Sequence, residues 1–459
     1  MGIQIRSIFR AYDFYIFSIV FFVIPNAQLF NMLLRYGPLA VWKQVLAVVL
    51  HVIVLHLFFF RRVDGAHGAR IVNSMRNFYA FILSAVSFLV LLAVFGGVPM
   101  TRAIYGGISV LGFLPFVFYP AIAIRHNKLR EMIIWVVATG FFCGVGLIVD
   151  YFFNIFGLLA SVLRVDVLSL MSDYTGFGFR RAMFLFVGPN AIYPFMSLPL
   201  FMIASLLCYL KRSLTGIFCF GMVGAISIGL FLTHSRAIWL LLIIYLAIVF
   251  SYLLLVAKNK AMNFCVGICA IAGLAGGVLY VVQNAEQGYE IIARFKDFFT
   301  TYDGSNAQRY SRWTIGLELF VYRNAWYEYF FGAGIGSTAR SISDYFFVHT
   351  HYESSIFRAY YEGGYVLLFV KLLPVIMIIT YALRMPRFNR VGFFFLCWVI
   401  VYFISICVAP ISGDYYNQIA IYMMLGLAYL EAQSQLFSRE LRAMGEFGIF
   451  NLVHNRRRR

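Results

Sequence analysis

Apolar runs of about 20 residues recur along almost the whole chain, and nothing else in the sequence constrains the fold as strongly. An α-helix needs roughly that length to cross a hydrocarbon layer about 30 Å thick. Residues of hydrophobic type make up 62% of the chain and charged ones 12%, where a soluble domain carries about 25% charged residues. A soluble globular protein is thereby excluded, and an all-α polytopic membrane protein is expected. The first run, 11–30, lacks a small-residue cleavage site and is followed by further runs, so it reads as a membrane helix and not a removed signal.

The runs predict helices over 11–30, 41–60, 78–98, 107–124, 131–152, 184–210, 214–233, 237–257, 262–283, 365–383, 391–409 and 417–436. Twelve crossings put both termini on one side. The expected organisation is nine spans over 1–283, a large, partly helical outer loop over 284–364, three spans over 365–437 and a basic tail over 438–459. With the N-terminus inside, 22 of the 37 Lys and Arg fall on the inner side, the distribution that the positive-inside rule favours. The net charge of +18 then needs no nucleic acid; topology and attraction to anionic membrane lipid account for it. All seven cysteines fall inside predicted helices, so they read as small core residues, with no disulfide framework and no metal site.

The outer side carries the unusual residues. Twelve of its 14 basic residues are arginine (the others are Lys43 and Lys296), a bias that the positive-inside rule does not explain. The planar guanidinium fork suits bidentate phosphate binding; the plainer alternative is snorkelling at helix ends. Three clusters stand out. "RRAMFLFVGPNAIYPF" sets Arg180 and Arg181 before a Gly188-Pro189-Asn190 helix start. "LTHSRAIWL" makes a tight turn holding His234, Ser235 and Arg236. The long loop holds "RYSRWTIGLELFVYRNAWYEYF", with Arg309, Arg312 and Arg323 near helical spacing, then "GAGIGS" (Gly332–Ser337), Arg340, and "VHTHYESSIFRAYYEGG" with His349, His351, Glu353 and Glu362. No predicted strand precedes the glycines of "GAGIGS", so they read as a turn allowing close backbone approach and not as a dinucleotide loop.

From about Arg180 to Gly364 these motifs, in this order, resemble the O-antigen ligase and polymerase superfamily. The resemblance rests on Arg180, Arg181, Gly188, Pro189 and Asn190; on Ser235-Arg236; on Arg309 and Trp313; on Gly332 to Ser337; and on Glu362 and Gly364. It implies a GT-C-like membrane glycosyltransferase of the bacterial inner membrane, working from the periplasmic face without metal or cofactor. Its donor would be a glycan on undecaprenyl pyrophosphate, its acceptor a second glycan or lipid A-core, with a chain-length regulator as a further partner. Arg180, Arg181, Arg236, Arg309 and Arg312 would hold the pyrophosphate, supported by Asn190, Ser235, His234, Arg323 and Arg340. The base would be His351, His349 or Glu353: ligases of the family carry His-Asn near this point, whereas here Tyr352 follows His351. Polymerisation of lipid-linked repeat units into O-antigen, capsule or exopolysaccharide is the favoured expectation, and ligation to lipid A-core the alternative. A lipid-linked oligosaccharide flippase is the alternative of another class. Transporters often show internal repeats, none is evident here, and ionisable residues inside the spans are few (Asp150, Lys371, Glu431).

Overall fold

A computed structural model describes residues 11–26, 42–60, 66–162, 182, 184, 186, 189–210, 213–233, 235–256, 314, 326–337, 355–385, 390–408 and 414–447. Among the described residues every regular element is helical. In chain order these are α1 (Tyr12–Val23), closed by a 3₁₀ turn (Ile24–Asn26); α2 (Trp42–Val54), running on into a π-helical turn (Leu55–Phe60); α3 (Ala66–Phe95); and α4 (Met100–Leu111). A 3₁₀ segment (Leu114–Phe118) joins α4 to α5 (Tyr119–Arg125), followed by α6 (Leu129–Phe153), α7 (Ile155–Val162), α8 (Pro189–Leu207), α9 (Ser213–Phe231) and α10 (Arg236–Val256). The remainder are α11 (Trp326–Phe331), α12 (Ser355–Arg384), α13 (Arg390–Val408), α14 (Asp414–Ser434) and α15 (Leu436–Phe447).

Six of the described segments are long and apolar enough to cross a membrane: Trp42–Phe59, Val72–Phe95, Met100–Arg125, Leu129–Phe153, Ser355–Arg384 and Arg390–Cys407. Four shorter apolar helices stand beside them. Outward faces carry exposed Val48, Leu91, Ile217, Ile243, Phe369, Ile376 and Ile400, a surface that suits lipid and not water. Most described helices overlap expected spans; the expected 107–124 is instead α4, the 3₁₀ segment and α5, beginning at Met100, and two helices start earlier than expected. Helix α3 begins at Ala66, well before the expected 78, and α12 begins at Ser355, ten residues before the expected 365. The expected span 262–283 lies outside the described residues.

Helix α14 departs from the pattern. It lies in the expected position but is not apolar enough to count as a span, since it carries Asn417, Gln418 and Glu431. The reason is its environment: every residue from Tyr416 to Glu431 is buried. A helix surrounded by other helices is solvated by protein and can hold polar groups that a lipid-facing helix cannot.

Contacts sort the helix termini onto two ends. At one end His126 Nε2 lies 2.8 Å from Asp13 Oδ1 and Lys128 donates to Tyr15 at 2.8 Å. At that end too, Arg390 donates to the Cys208 carbonyl at 3.1 Å, and the Arg442 guanidinium lies 5.8 Å from the Tyr209 ring. This basic end exposes Arg125, Arg384, Arg439 and Arg442. The α3–α4 turn, the end of α6, the α9–α10 turn and the glycine turn after α11 lie at the other end. Helices α6 and α9 approach through glycine: a Cβ on Gly229 would sit 2.6 Å from the Gly144 carbonyl. Such small-residue contacts replace the hydrophobic drive that is absent between helices in lipid.

Candidate functional site

The first two sequence clusters meet. The Ala182 N–H, one residue beyond Arg181, donates to the Leu232 carbonyl at 3.0 Å, beside the turn that holds Ser235. The same strip is fixed on its other side by the Phe184 N–H, which donates at 2.9 Å to Asp150 Oδ2 in the last turn of α6. Asp150 is 1% exposed. A carboxylate so deeply buried is costly without donors to satisfy it, so its place opposite a backbone N–H in an irregular strip is structural. Phe184 takes a positive φ of 48° there, a strained conformation for an aromatic residue that its tertiary contacts hold.

The turn itself is built by local hydrogen bonds. Thr233 Oγ1 donates to the Leu230 carbonyl at 2.7 Å, closing the end of α9. The Ser235 carbonyl accepts from the Trp239 N–H at 3.0 Å, so buried Ser235 sits at the cap position and Arg236 opens α10. Trp239 returns over the turn, its Nε1–H bonded to the Phe231 carbonyl at 2.7 Å and its ring stacked 4.9 Å from Phe231. Asn190 lies in the first turn of α8, behind Pro189, where proline's missing N–H costs nothing. Asn190 and Arg236 are described by their backbone only.

The third cluster is an interlock of glycines. In α12 the helix breaks at Gly363 (φ −137°, ψ 16°) and Gly364 (φ 57°, ψ −152°); the second conformation is one that only glycine adopts without strain. The "GAGIGS" turn inserts there, with the Ala333 N–H bonded to the Tyr361 carbonyl at 2.8 Å. Gly332 lies against the Tyr361–Gly363 backbone and Gly336 against the Arg102 carbonyl, while a Cβ on Gly106 would sit 2.6 Å from the Gly336 nitrogen. Ile335 between them is fully buried. The turn therefore ties the α12 kink to the N-terminal end of α4, through backbone approaches that side chains would block. Just before the kink, Glu362 is 3% exposed and accepts from Arg358 Nε at 3.2 Å.

Of the site residues expected from sequence, Arg180, Arg181, His234, Arg309, Arg312, Arg323, Arg340, His349, His351 and Glu353 lie outside the described residues. Sequence reading noted Asp150 only as one of the few ionisable residues inside the spans and missed its role as acceptor for the Phe184 N–H; it also missed Glu362 as an ion-pair partner of Arg358. An acid in the last turn of an apolar helix was the available signal for Asp150. No protein-family model matches this chain, and no curated protein matches it.

Proposed function

We propose that this protein is an inverting membrane glycosyltransferase that polymerises undecaprenyl-pyrophosphate-linked repeat units, with its active site at the end opposite the basic one, facing the periplasm. The observation that supports this reading is the Ala182–Leu232 hydrogen bond, which brings the residue that follows Arg181 in sequence beside the turn preceding Arg236. Ala182, next in sequence after the paired arginines, and the backbone of Arg236 lie at the same end as the glycine interlock, from which the loop's histidines follow in sequence. In the reaction the acceptor hydroxyl oxygen bonds to the donor's anomeric carbon as the bond from that carbon to phosphate breaks. The hydroxyl proton passes to a base among His351, His349 and Glu353, and undecaprenyl pyrophosphate departs. Charge grows on the departing diphosphate, and fixed arginine forks stabilise it in the transition state. A neutral imidazole with an ordinary pKa of about 6.5 suits the base role.

The test is reconstitution of the full chain in liposomes with a synthetic undecaprenyl-pyrophosphate-linked repeat unit and no nucleotide sugar. A ladder of longer lipid-linked chains is expected. Movement of the donor across the bilayer with no new glycosidic bond would replace this reading with transport, and transfer to lipid A-core alone would replace it with ligation.

A further inference from the structure

Helix α11 is only six residues long, yet one side of it is a face of rings. Trp326 is 74%, Tyr327 53% and Phe330 49% exposed, and positions i, i+1 and i+4 share one side of a helix. Glu328, Tyr329 and Phe331 on the other side are half-buried. A contiguous exposed apolar face of this kind implies a partner other than water.

The neighbouring helices identify that partner. Both α3 and α12 contain segments long and apolar enough to cross a membrane. Each turns a stripe of large apolar residues outward: Phe81, Phe88 and Phe95 on α3, and Tyr365, Phe369 and Ile376 on α12. Steps of four and seven residues keep each stripe on one face. The two stripes adjoin, with the Phe81 and Phe369 rings 6.3 Å apart. Helix α11 bridges them, the Phe331 ring lying 5.9 Å from Phe88 and the Phe330 ring 6.1 Å from Tyr365. Its exposed rings therefore continue a lipid-facing surface. The same contacts give its depth. Phe88 lies about two turns, or roughly 10 Å, before Phe95 at the end of α3, so α11 packs beside the outer part of a span and not above it. Trp and Tyr settle at the headgroup level, where interfacial helices bury an apolar face by about 5–10 Å.

We infer that α11 is an interfacial anchor, its Trp326, Tyr327 and Phe330 face inserted into the headgroup layer of the leaflet at the end opposite the basic one. The Gly332 N–H donates to the Glu328 carbonyl at 2.8 Å, so the glycine turn follows α11 directly. That turn and the Gly363–Gly364 kink it engages are thereby held at the depth of the lipid phosphates. The anchor stands on packing and lipid contact and needs no particular reaction; for a lipid-linked donor it sets the diphosphate level with the interlock.

The experiment is tryptophan quenching on the full chain in phosphatidylcholine nanodiscs, with lipid nitroxides placed near the glycerol or near the chain end, and with iodide in the water. Six tryptophans emit, so Trp326 is read as the difference between the wild type and Trp326→Phe. The shallow label is expected to quench that difference about twofold more than the deep one. Tyr327→Trp in an otherwise intact chain adds a ring to the same face, and the added emission should follow the same order. Equal or stronger quenching by the deep label would overturn the headgroup position. Quenching by iodide with none from either lipid label would give the face to water or to a glycan, and no quenching by any of the three would mean that protein covers it; either result overturns the anchor. Chain growth reports separately. Shallow quenching in a protein that never extends lipid-linked chains would sink the polymerase reading and leave the anchor standing.

Discussion

At the residue scale the molecule depends on a few positions where one side chain, or its absence, has no substitute. Gly364 is the plainest: its φ of 57° with ψ of −152° strains any other residue, and an added Cβ would meet the Phe330 backbone. Gly364→Ala is expected to cost about 1–3 kcal/mol or more, seen as a lowered melting temperature and faster proteolysis near residue 332. Asp150 works in the opposite sense, as a buried acceptor for the Phe184 N–H. Asp150→Leu leaves that donor without its partner and should destabilise by about 1–3 kcal/mol, whereas Asp150→Asn, which keeps an oxygen in place, should cost less. Arg181→Lys and Arg236→Lys keep the charge and lose the fork, so chain growth should fall on the order of 10²-fold. Arg125→Lys, exposed at the basic end, should leave the rate unchanged. Equal tolerance at all three would mean that these arginines serve topology alone.

Among the elements, the most consequential is the segment Met100–Arg125, which is 26 residues long and not one helix. Helix α4 stops at Leu111 and a 3₁₀ segment starting at Leu114 precedes α5, with Pro115 at the break. Proline has no N–H to give and disfavours helix in the residue before it. The groups freed there are met by side chains from two other helices. Gln418 Oε1 accepts from the Phe113 N–H at 2.8 Å, and its Nε2 donates to the Ser109 carbonyl. His51 Nε2 lies 3.1 Å from the Leu111 carbonyl; that contact requires the proton on Nε2, so Nδ1 accepts from the Tyr79 hydroxyl. Broken helices persist in membranes only when such partners exist. Gln418→Leu and His51→Leu should each lower stability by roughly 0.6–2 kcal/mol. Both serve one break, so a double-mutant cycle read by thermal unfolding should show a coupling; strict additivity would mean that the break is held elsewhere. Because the break closes off α4, which carries the glycine turn at its far end, these same variants should also speed proteolysis near residue 332.

For the whole molecule the decisive property is that the two ends differ. Contacts gather Arg390, Arg442, Lys128 and their partners at one end, and Ala182, Phe184, the Ser235 turn and the glycine interlock at the other. Replacing Arg439 at the basic end and the 74% exposed Trp326 at the other with cysteine, one at a time, reads orientation directly. Trp326→Cys should react with a membrane-impermeant maleimide in intact cells, and Arg439→Cys only after the membrane is opened; the reverse pattern would invert the topology. Much of this architecture was legible in the sequence, because span length and apolar composition are set by the thickness and chemistry of lipid, and each run carries that signal by itself. The expected helices accordingly coincide with α2 and its π-helical turn, α6, α9, α10, α13 and α14 to within about three residues at each end. The polar interior was not legible. Gln418 bonded to residues more than 300 positions away and Asp150 holding the Phe184 N–H are decided only when helices far apart in sequence become neighbours. Local pattern determines that a segment is helical and apolar, whereas the partner of a buried polar group is a property of the assembled bundle.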